Sequence, residues 1–545
     1  MKMPPHHDLK NLHRLLNNPA IKNILFLGLA LLAAGCLSIL MGQDASVDLL
    51  NYHLYTPFAF LHRRFYWDII PAGMHTFFNP LLDVPYYLLF THLNDYPRLT
   101  AFIQGLWYGI FLFFGWKVTA LVFPQFKQAQ DKLIRLNAFI LAVTGIAALS
   151  QIGLSSNEVP LAAGGVWVCY AFLSNRYTAP AFFLLGALFG LKYTFGPAAA
   201  GLGLMGLYLL CKNKHPRKYI LWCLAACAAG FLLTNGFFMW RLYKVFENPF
   251  FPFFNRFFQS PFFDPINLTN GPGTPTNWQE WLFLPFLRRT LNVVEYQLDT
   301  RLCLGLVSFI GLAALWAWHK IRHTQEKLSP TLVSLVILFG VSYILWLYSF
   351  GVMRYSILLE FASALLFLLL LRRLLGPATA GAACTLLTLY LLLTPLPDWG
   401  RTAFQNKNST AKVPEIEDNA LVLLAGHVSF LVPLANPHAK YIGGFWFLPA
   451  QYPVQMGFMA KRLNILQPDD YRFHFEQPVR QEIERHPGPI YILGPNSPVV
   501  TDERTWEKYR LSVADPKTNC EKFYANMDNI YGGFLLCPAQ KIPRK

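Results

Sequence analysis

The chain has 545 residues, of which 54% are hydrophobic and 14% charged, and a formal net charge of +16. Soluble domains carry about 25% charged residues, so this composition excludes an ordinary soluble globular protein, and runs reaching the ~20 apolar residues needed to cross a bilayer recur along it. The positive charge sits mostly between apolar runs, which reads as orientation in a membrane and not as a nucleic-acid surface.

The first 22 residues are polar and basic, and the first span covers 21–41. Leu32-Ala-Ala-Gly-Cys36 looks like a lipoprotein cleavage site, but the apolar run continues to Met41, so an uncleaved first span is expected. The stretch 42–87 then holds Asp44, Asp48, Asp68 and Asp83 with His53, His62 and His75. It is too long and chemically dense for a plain connector. It reads as short helices along a membrane face that form the first half of an active site. Residues 81–93 are apolar but too short to cross, and are expected to lie in the interface.

Further spans are predicted at 98–123, 133–150, 159–173, 179–191, 195–211 and 219–240, an aromatic loop at 241–300, and spans at 302–318, 331–348, 352–371 and 378–393, eleven in all. With the N-terminus in the cytoplasm, the inside segments carry most Lys and Arg, as at Lys212, Lys214, Arg217 and Lys218 or Arg372 and Arg373. An odd number of spans puts the C-terminus outside. The fold expected is mainly α: a polytopic membrane domain at 1–396, with outer segments at 42–87 and 241–300, followed by a soluble extracytoplasmic α/β domain at 397–545. In that domain Leu421-Val-Leu-Leu and Ile490-Tyr-Ile-Leu read as buried strands, and 472–485 as a helix. Seven of the nine cysteines lie in or beside apolar runs. Cys520 and Cys537 lie in the tail, where a disulfide needs an oxidising compartment, and the outside placement permits one.

Candidate chemistry gathers on the outer side. Asp48 lies just beyond the first span with Tyr52 four and His53 five residues on; a carboxylate there suits a general base, although a solvated loop aspartate has the same appearance. Arg354 and Tyr355 lie at the outer end of the tenth span, with Glu360 deeper; an arginine there either grips a phosphate or snorkels to the headgroups. Lys192 breaks the positive-inside pattern at the end of the fifth span. Glu158 opens the fourth, where the helix dipole alone favours it. Asn255 sits in the run Phe250-Phe-Pro-Phe-Phe-Asn255, which reads as a lipid-facing groove or an interfacial aromatic belt. Glu295, Asp299 and Arg301 read equally as an ion pair or as phosphate contacts. The sequence has no Gly-rich phosphate loop, zinc spacing or Gly-x-Ser-x-Gly elbow.

Together these pieces resemble the GT-C glycosyltransferases, polytopic enzymes that use polyprenyl-phosphate-linked sugars at the extracytoplasmic face. Asp48-Leu-Leu-Asn-Tyr52-His53-Leu looks like the Asp-x-x-x-Tyr-His-Leu form of bacterial members. Gly190-Leu-Lys192 is similar to a helix end of the family, and Arg354-Tyr355 to its late Arg-Tyr segment. The resemblance implies a bacterial inner-membrane enzyme, with Asp48 or its rival Asp44 as base and Arg354, Lys192 and Arg301 on the donor phosphate. Tyr52, His53, Glu158, Asn255 and Tyr355 would contact substrate. Membrane lipid and a lipid-linked sugar are the expected partners, with the acceptor open. An acidic neighbour of the loop aspartate is missing, with Leu49 in its place, which leaves a divalent metal open. A transporter of lipid-linked sugars, or an O-antigen-type polymerase or ligase, is the alternative reading. The transporter predicts charges in mid-span and paired broken helices, and the polymerase a large late loop.

Overall fold

The computed structural model describes residues 18–124, 129–266, 275, 277–287, 300–322, 328–443, 474–501, 506–507, 509–513, 519–528 and 532–543. Glu295, Asp299 and most of the basic leader lie outside these residues.

Each predicted span coincides with a helix: α1 (Pro19–Met41), α2 (Pro97–Val122), α3 (Ala129–Val143), α4 (Glu158–Leu173), α5 (Thr178–Leu191), α6 (Gly196–Lys212), α7 (Arg217–Phe246), α8 (Thr300–Ile321), α9 (Pro330–Ser349), α10 (Ile357–Leu374) and α11 (Pro377–Leu392). Among the described residues six helices are long and apolar enough to cross a membrane: α1, α2, α7, α8, α9, and α6 with the turn before it. These mark a multi-pass membrane protein. Helices α4, α5 and α11 are apolar but shorter.

Two predicted spans are broken, and for the same reason. The 133–150 run ends as α3 at Val143 and restarts as a short helix, Ile146–Ser150. At the break, the Glu360 carboxylate accepts from Ala147 N at 3.1 and 3.2 Å, and a Cβ on Gly145 would lie 2.0 Å from Glu360 Oε2. The 352–371 run begins instead as a single tight turn, Met353–Tyr355, before α10. Thus Arg354 sits on a turn at the helix end. Polar groups replace the regular backbone ladder at both places, which membrane proteins tolerate where the chain is covered by protein.

Helix pairing uses small residues. Gly105 and Gly109 of α2 face α1 so closely that a Cβ would meet Ala34 O and Ala30 O at 2.9 Å. Gly186 of α5 meets Cys227 O of α7 in the same way, at 1.8 Å. Without a hydrophobic drive between helices in lipid, such close approach supplies the packing. Helix α10 is buried along most of its length and forms the centre of the bundle.

Beyond the helix ends, the tail forms a sheet of β3 (Leu421–Leu424), β4 (Lys440–Gly443), β5 (Ile490–Pro495), β6 (Leu511–Val513), β7 (Glu521–Phe523) and β8 (Phe534–Lys541), with spatial order β4-β3-β5-β8-β6 and β7 also on β8. Strands β4, β3 and β5 are parallel and β8 is antiparallel to its neighbours. The Cys520–Cys537 disulfide is formed, beside the β7–β8 pairing. A helix is present at Glu476–Arg485, within the predicted 472–485.

This sheet shares both of its cores with the membrane part. Side chains alternate across a strand. Val422 and Leu424 of β3 therefore face a cluster with Leu49, Tyr55, Phe58 and Tyr86 of the first outer segment. Leu421 and Leu423 face the other way, toward Phe238, Phe246, Phe251 and Phe263 of α7 and the aromatic loop. Phe251 and Phe263 of that loop are thus core, while Phe254, Phe257, Trp278 and Phe286 are exposed. A two-stranded sheet joins β1 (Gln43–Asp44) to β2 (Arg401–Thr402). The short helical turns predicted for 42–87 are present, buried between the bundle and the sheet.

One buried ion pair fastens the two parts. Arg64 donates to both carboxylate oxygens of Asp68 at 2.8 Å and to the carbonyls of Pro437 and Ala439, and Asp68 accepts from Tyr441 N at 2.9 Å. Removing one partner strands a buried charge, at a cost of about 3–5 kcal/mol. Arg64→Ala is therefore expected to lower the thermal midpoint of the detergent-solubilised protein well below that of the double variant Arg64→Met/Asp68→Leu, read by intrinsic fluorescence.

Candidate functional site

The first outer segment enters the site as a π-helical turn, Leu49–His53, that continues the short helix beginning at Val47. π-Turns are rare and are frequent at functional sites. The wider turn brings both Tyr52 and His53 near Asp48, where an α-helix would favour Tyr52 alone. Its spare carbonyl at Asn51 accepts from the Ser429 hydroxyl, delivered by the loop after β3.

Asp48 and Arg354 form an ion pair, Arg354 Nη1 donating to Asp48 Oδ2. Both side chains are 19% exposed, so the pair is reachable from outside the protein. Burial works against the Asp48 charge, but Arg354, with His53, His75 and Lys192 behind it, outweighs burial and holds the carboxyl below its ordinary range. Arg354 Nη2 donates to Tyr355 Oη at 3.1 Å, and its carbonyl accepts from Gln151 Nε2 at 3.0 Å. Its Nε is buried with no hydrogen-bond partner.

Lys192 stands on the other side of Tyr355, its Nζ 6.0 Å from that ring. It donates to Glu158 Oε1 at 2.5 Å and to Ser156 O at 2.6 Å. Glu158 lies within electrostatic reach of Arg354, and its Oε2 is buried without a partner.

Beneath the ion pair lies a layer of rings. Tyr52 stacks on His75, centroids 4.4 Å apart, and tilts against His53 at 4.0 Å. His75 Nδ1 accepts from Asn51 Nδ2 at 3.3 Å. His53 Nδ1 meets Asp83 Oδ1 at 2.7 Å, and Asp83 also accepts from Asn157 Nδ2 at 2.5 Å and from the Thr56 hydroxyl at 3.4 Å. His53 Nε2 is buried with no partner. His427, after β3, lies within electrostatic reach of Asp48 and His75.

The structure therefore gathers Asp48, Tyr52, His53, Glu158, Lys192, Arg354 and Tyr355 in one place. It removes three other candidates. Asp44, the rival base, is buried with Oδ1 accepting from Ser46 N at 2.9 Å and Oδ2 from Ser155 N at 2.7 Å, so it ties chain to chain. Arg301 is fully buried and donates to Leu141 O at 2.9 Å and Thr144 Oγ1 at 3.1 Å, at the broken end of α3 and apart from the residues gathered around Asp48. Asn255 is fully buried and bonds Ser260 N, Ser260 O and Phe263 O, which folds the aromatic loop upon itself.

The sequence places Asp83 and His75 in the first outer segment without giving either a role, and does not single out Asn157 or His427 as site residues. Asp83 stands where a helix cap is expected, before the helix Val84–His92, yet its side chain makes no capping bond. Only the fold shows that its carboxylate is spent on His53. A divalent metal does not fit the residues present. Asp48 is committed to a guanidinium, and no group of three His, Cys, Asp or Glu suited to a metal ion occurs among the described residues. Comparison with protein-family models, with curated proteins and with solved structures returned no match.

Burial pushes His75 down to about 3 and His427 down to about 4, from an ordinary 6.5. Both stay neutral in the fold, while the unfolded chain takes up their protons near pH 6.5. The stability they leave intact at pH 7 is lost progressively as the pH falls below 6.5 toward about 3–4. The thermal midpoint is expected to drop between pH 7 and pH 5, and to drop less in His75→Phe and His427→Leu, measured in one detergent at constant ionic strength.

Proposed function

We propose that this chain is a membrane glycosyltransferase that moves a sugar from a polyprenyl phosphate to an acceptor hydroxyl, by inverting displacement at the anomeric carbon. The observation that carries the reading is Arg354. It is an accessible cation at the covered end of a bundle, held by Asp48, with its Nε unpartnered and with partnerless atoms of Glu158 and His53 in the same cluster. A guanidinium is matched to a phosphate. As the bond from the anomeric carbon to the phosphate oxygen breaks, the phosphate gains a second negative charge, and Arg354 meets it at no reorganisation cost. Asp48 serves as the counter-ion that orients the guanidinium before the donor arrives. The Lys192–Glu158 pair sets the wall behind it. Tyr355, partly exposed beside Arg354, gives a ring of the kind that sugar rings pack upon.

In this reading all eleven helices cross a bacterial inner membrane. The basic turns at Lys212–Arg217 and Arg372–Arg373 then lie in the cytoplasm, and the site, the sheet and the Cys520–Cys537 disulfide lie together in an oxidising extracytoplasmic space. The sheet contributes the loop bearing His427 and Ser429. It closes the site from above, on the side where an acceptor arrives.

The test is transfer by purified protein in lipid nanodiscs with a panel of polyprenyl-phosphate sugars and native-membrane acceptors. Arg354→Gln is expected to lower the rate about 10²–10³-fold and also to lower the thermal midpoint, because Asp48 is left unpaired. Transfer by Arg354→Gln at the wild-type rate, or no transfer by wild type across the panel, overturns the reading.

A further inference from the structure

Asp48 is a poor group to receive a proton, since its carboxylate already neutralises Arg354 and would have to abandon it. A different group in the same cluster is built for that task. His53 is 1% exposed. Its Nδ1 lies 2.7 Å from Asp83 Oδ1, and a carboxylate can only accept, so Nδ1 carries a proton and, in the neutral ring, Nε2 is the nitrogen that presents a lone pair. That Nε2 is buried and has no hydrogen-bond partner. A buried acceptor left unmade is destabilising, and a ligand hydroxyl is a group that would satisfy it.

The supports of the dyad come from separate elements. Asp83 is fixed by Asn157, the residue before α4, and by Thr56, which also bonds the carbonyl of Tyr52 in the π-turn. Asn157 takes a left-handed conformation, φ +66°, that turns its amide toward Asp83. A carboxylate that holds an imidazole in one tautomer and stabilises the imidazolium is the arrangement by which histidine acts as a general base. His75 is not equivalent. Its Nδ1 already accepts from Asn51, and its ring is pinned against Tyr52.

Resting on the transferase reading, we infer that His53, oriented by Asp83, is the base that takes the acceptor's proton. The acceptor oxygen forms its bond to the anomeric carbon while the carbon–phosphate oxygen bond breaks. The electron pair of that bond leaves with polyprenyl phosphate, beside Arg354. The hydroxyl proton moves to His53 Nε2, and the imidazolium formed is stabilised by Asp83 and later gives its proton to solvent. Asp83 acts through His53 as a positioning residue, and Asp48 acts through Arg354.

The experiment compares His53→Ala, Asp83→Asn and Asp48→Asn in nanodiscs, with binding of polyprenyl phosphate alone measured beside the rate of transfer. His53→Ala is expected to lower kcat about 10²–10⁴-fold, to bind polyprenyl phosphate as wild type does, and to recover part of its rate with added imidazole. Asp83→Asn preserves shape but disturbs the tautomer, and is expected to lower kcat while leaving the donor KM unchanged. Asp48→Asn is expected to act chiefly on donor KM and polyprenyl-phosphate binding. Wild-type kcat in either His53→Ala or Asp83→Asn overturns the inference and leaves the transferase standing. So does a kcat loss in Asp48→Asn with unchanged donor binding. Should His53→Ala fail to fold, Asp83→Asn and Asp48→Asn decide. A wild-type protein that transfers nothing removes the transferase reading itself and this base with it.

Discussion

The pairing of Asp48 with Arg354 is the constraint around which the covered end of the molecule is arranged. Neither charge is far from apolar surroundings, and each makes the other tolerable. Asp48 comes from the first outer segment and Arg354 from the turn before the central helix, residues 306 positions apart in the chain. For the two to meet, α10 must start late, the 133–150 run must break to admit Gln151 against the Arg354 carbonyl, and Glu360 must cap the break. Irregular backbone at two places accompanies one ion pair and its neighbours.

A second consequence concerns the tail. Strands β3, β5 and β8 carry apolar side chains on both faces, and a sheet with two apolar faces needs two covers. The first outer segment is one and the aromatic loop with the end of α7 is the other. The domain boundary near residue 397, clear in composition, is therefore a boundary of sequence and not of packing. The cover also explains the density of phenylalanine in the loop. Most of these rings pair with one another and with Phe475, as in the Phe246–Phe251 stack at 4.2 Å, instead of facing lipid.

Within the site the charges sort by element. Cations stand on late helix ends, as Lys192 and Arg354. Carboxylates stand on the first outer segment and on the start of α4. The imidazoles of His75 and His427 are held neutral by burial. In the proposed transferase, Arg354 would face the donor phosphate and His53 the acceptor hydroxyl, each from its own element.

The helices, their approximate ends and the strands at Leu421 and Ile490 were legible because they rest on local signals: apolar run length, and short buried runs bounded by turns. Asp48, Lys192 and Arg354 were legible because each is a charge out of place beside an apolar run. What the sequence left open depended on partners far along the chain. Asp44 and Asp48 look alike in sequence, yet one is consumed by two backbone amides and the other by a guanidinium. Arg301 and Arg354 both open helices, yet one is sealed inside the bundle and the other reaches the surface. Asp83 has the position of a helix cap and serves a histidine instead. Composition and periodicity alone determined that the chain is a membrane protein and where its elements run, because burial in lipid is a property of a segment. Which polar groups remain available for chemistry was decided only by the tertiary structure, because hydrogen-bond capacity is spent between segments that the chain itself keeps apart.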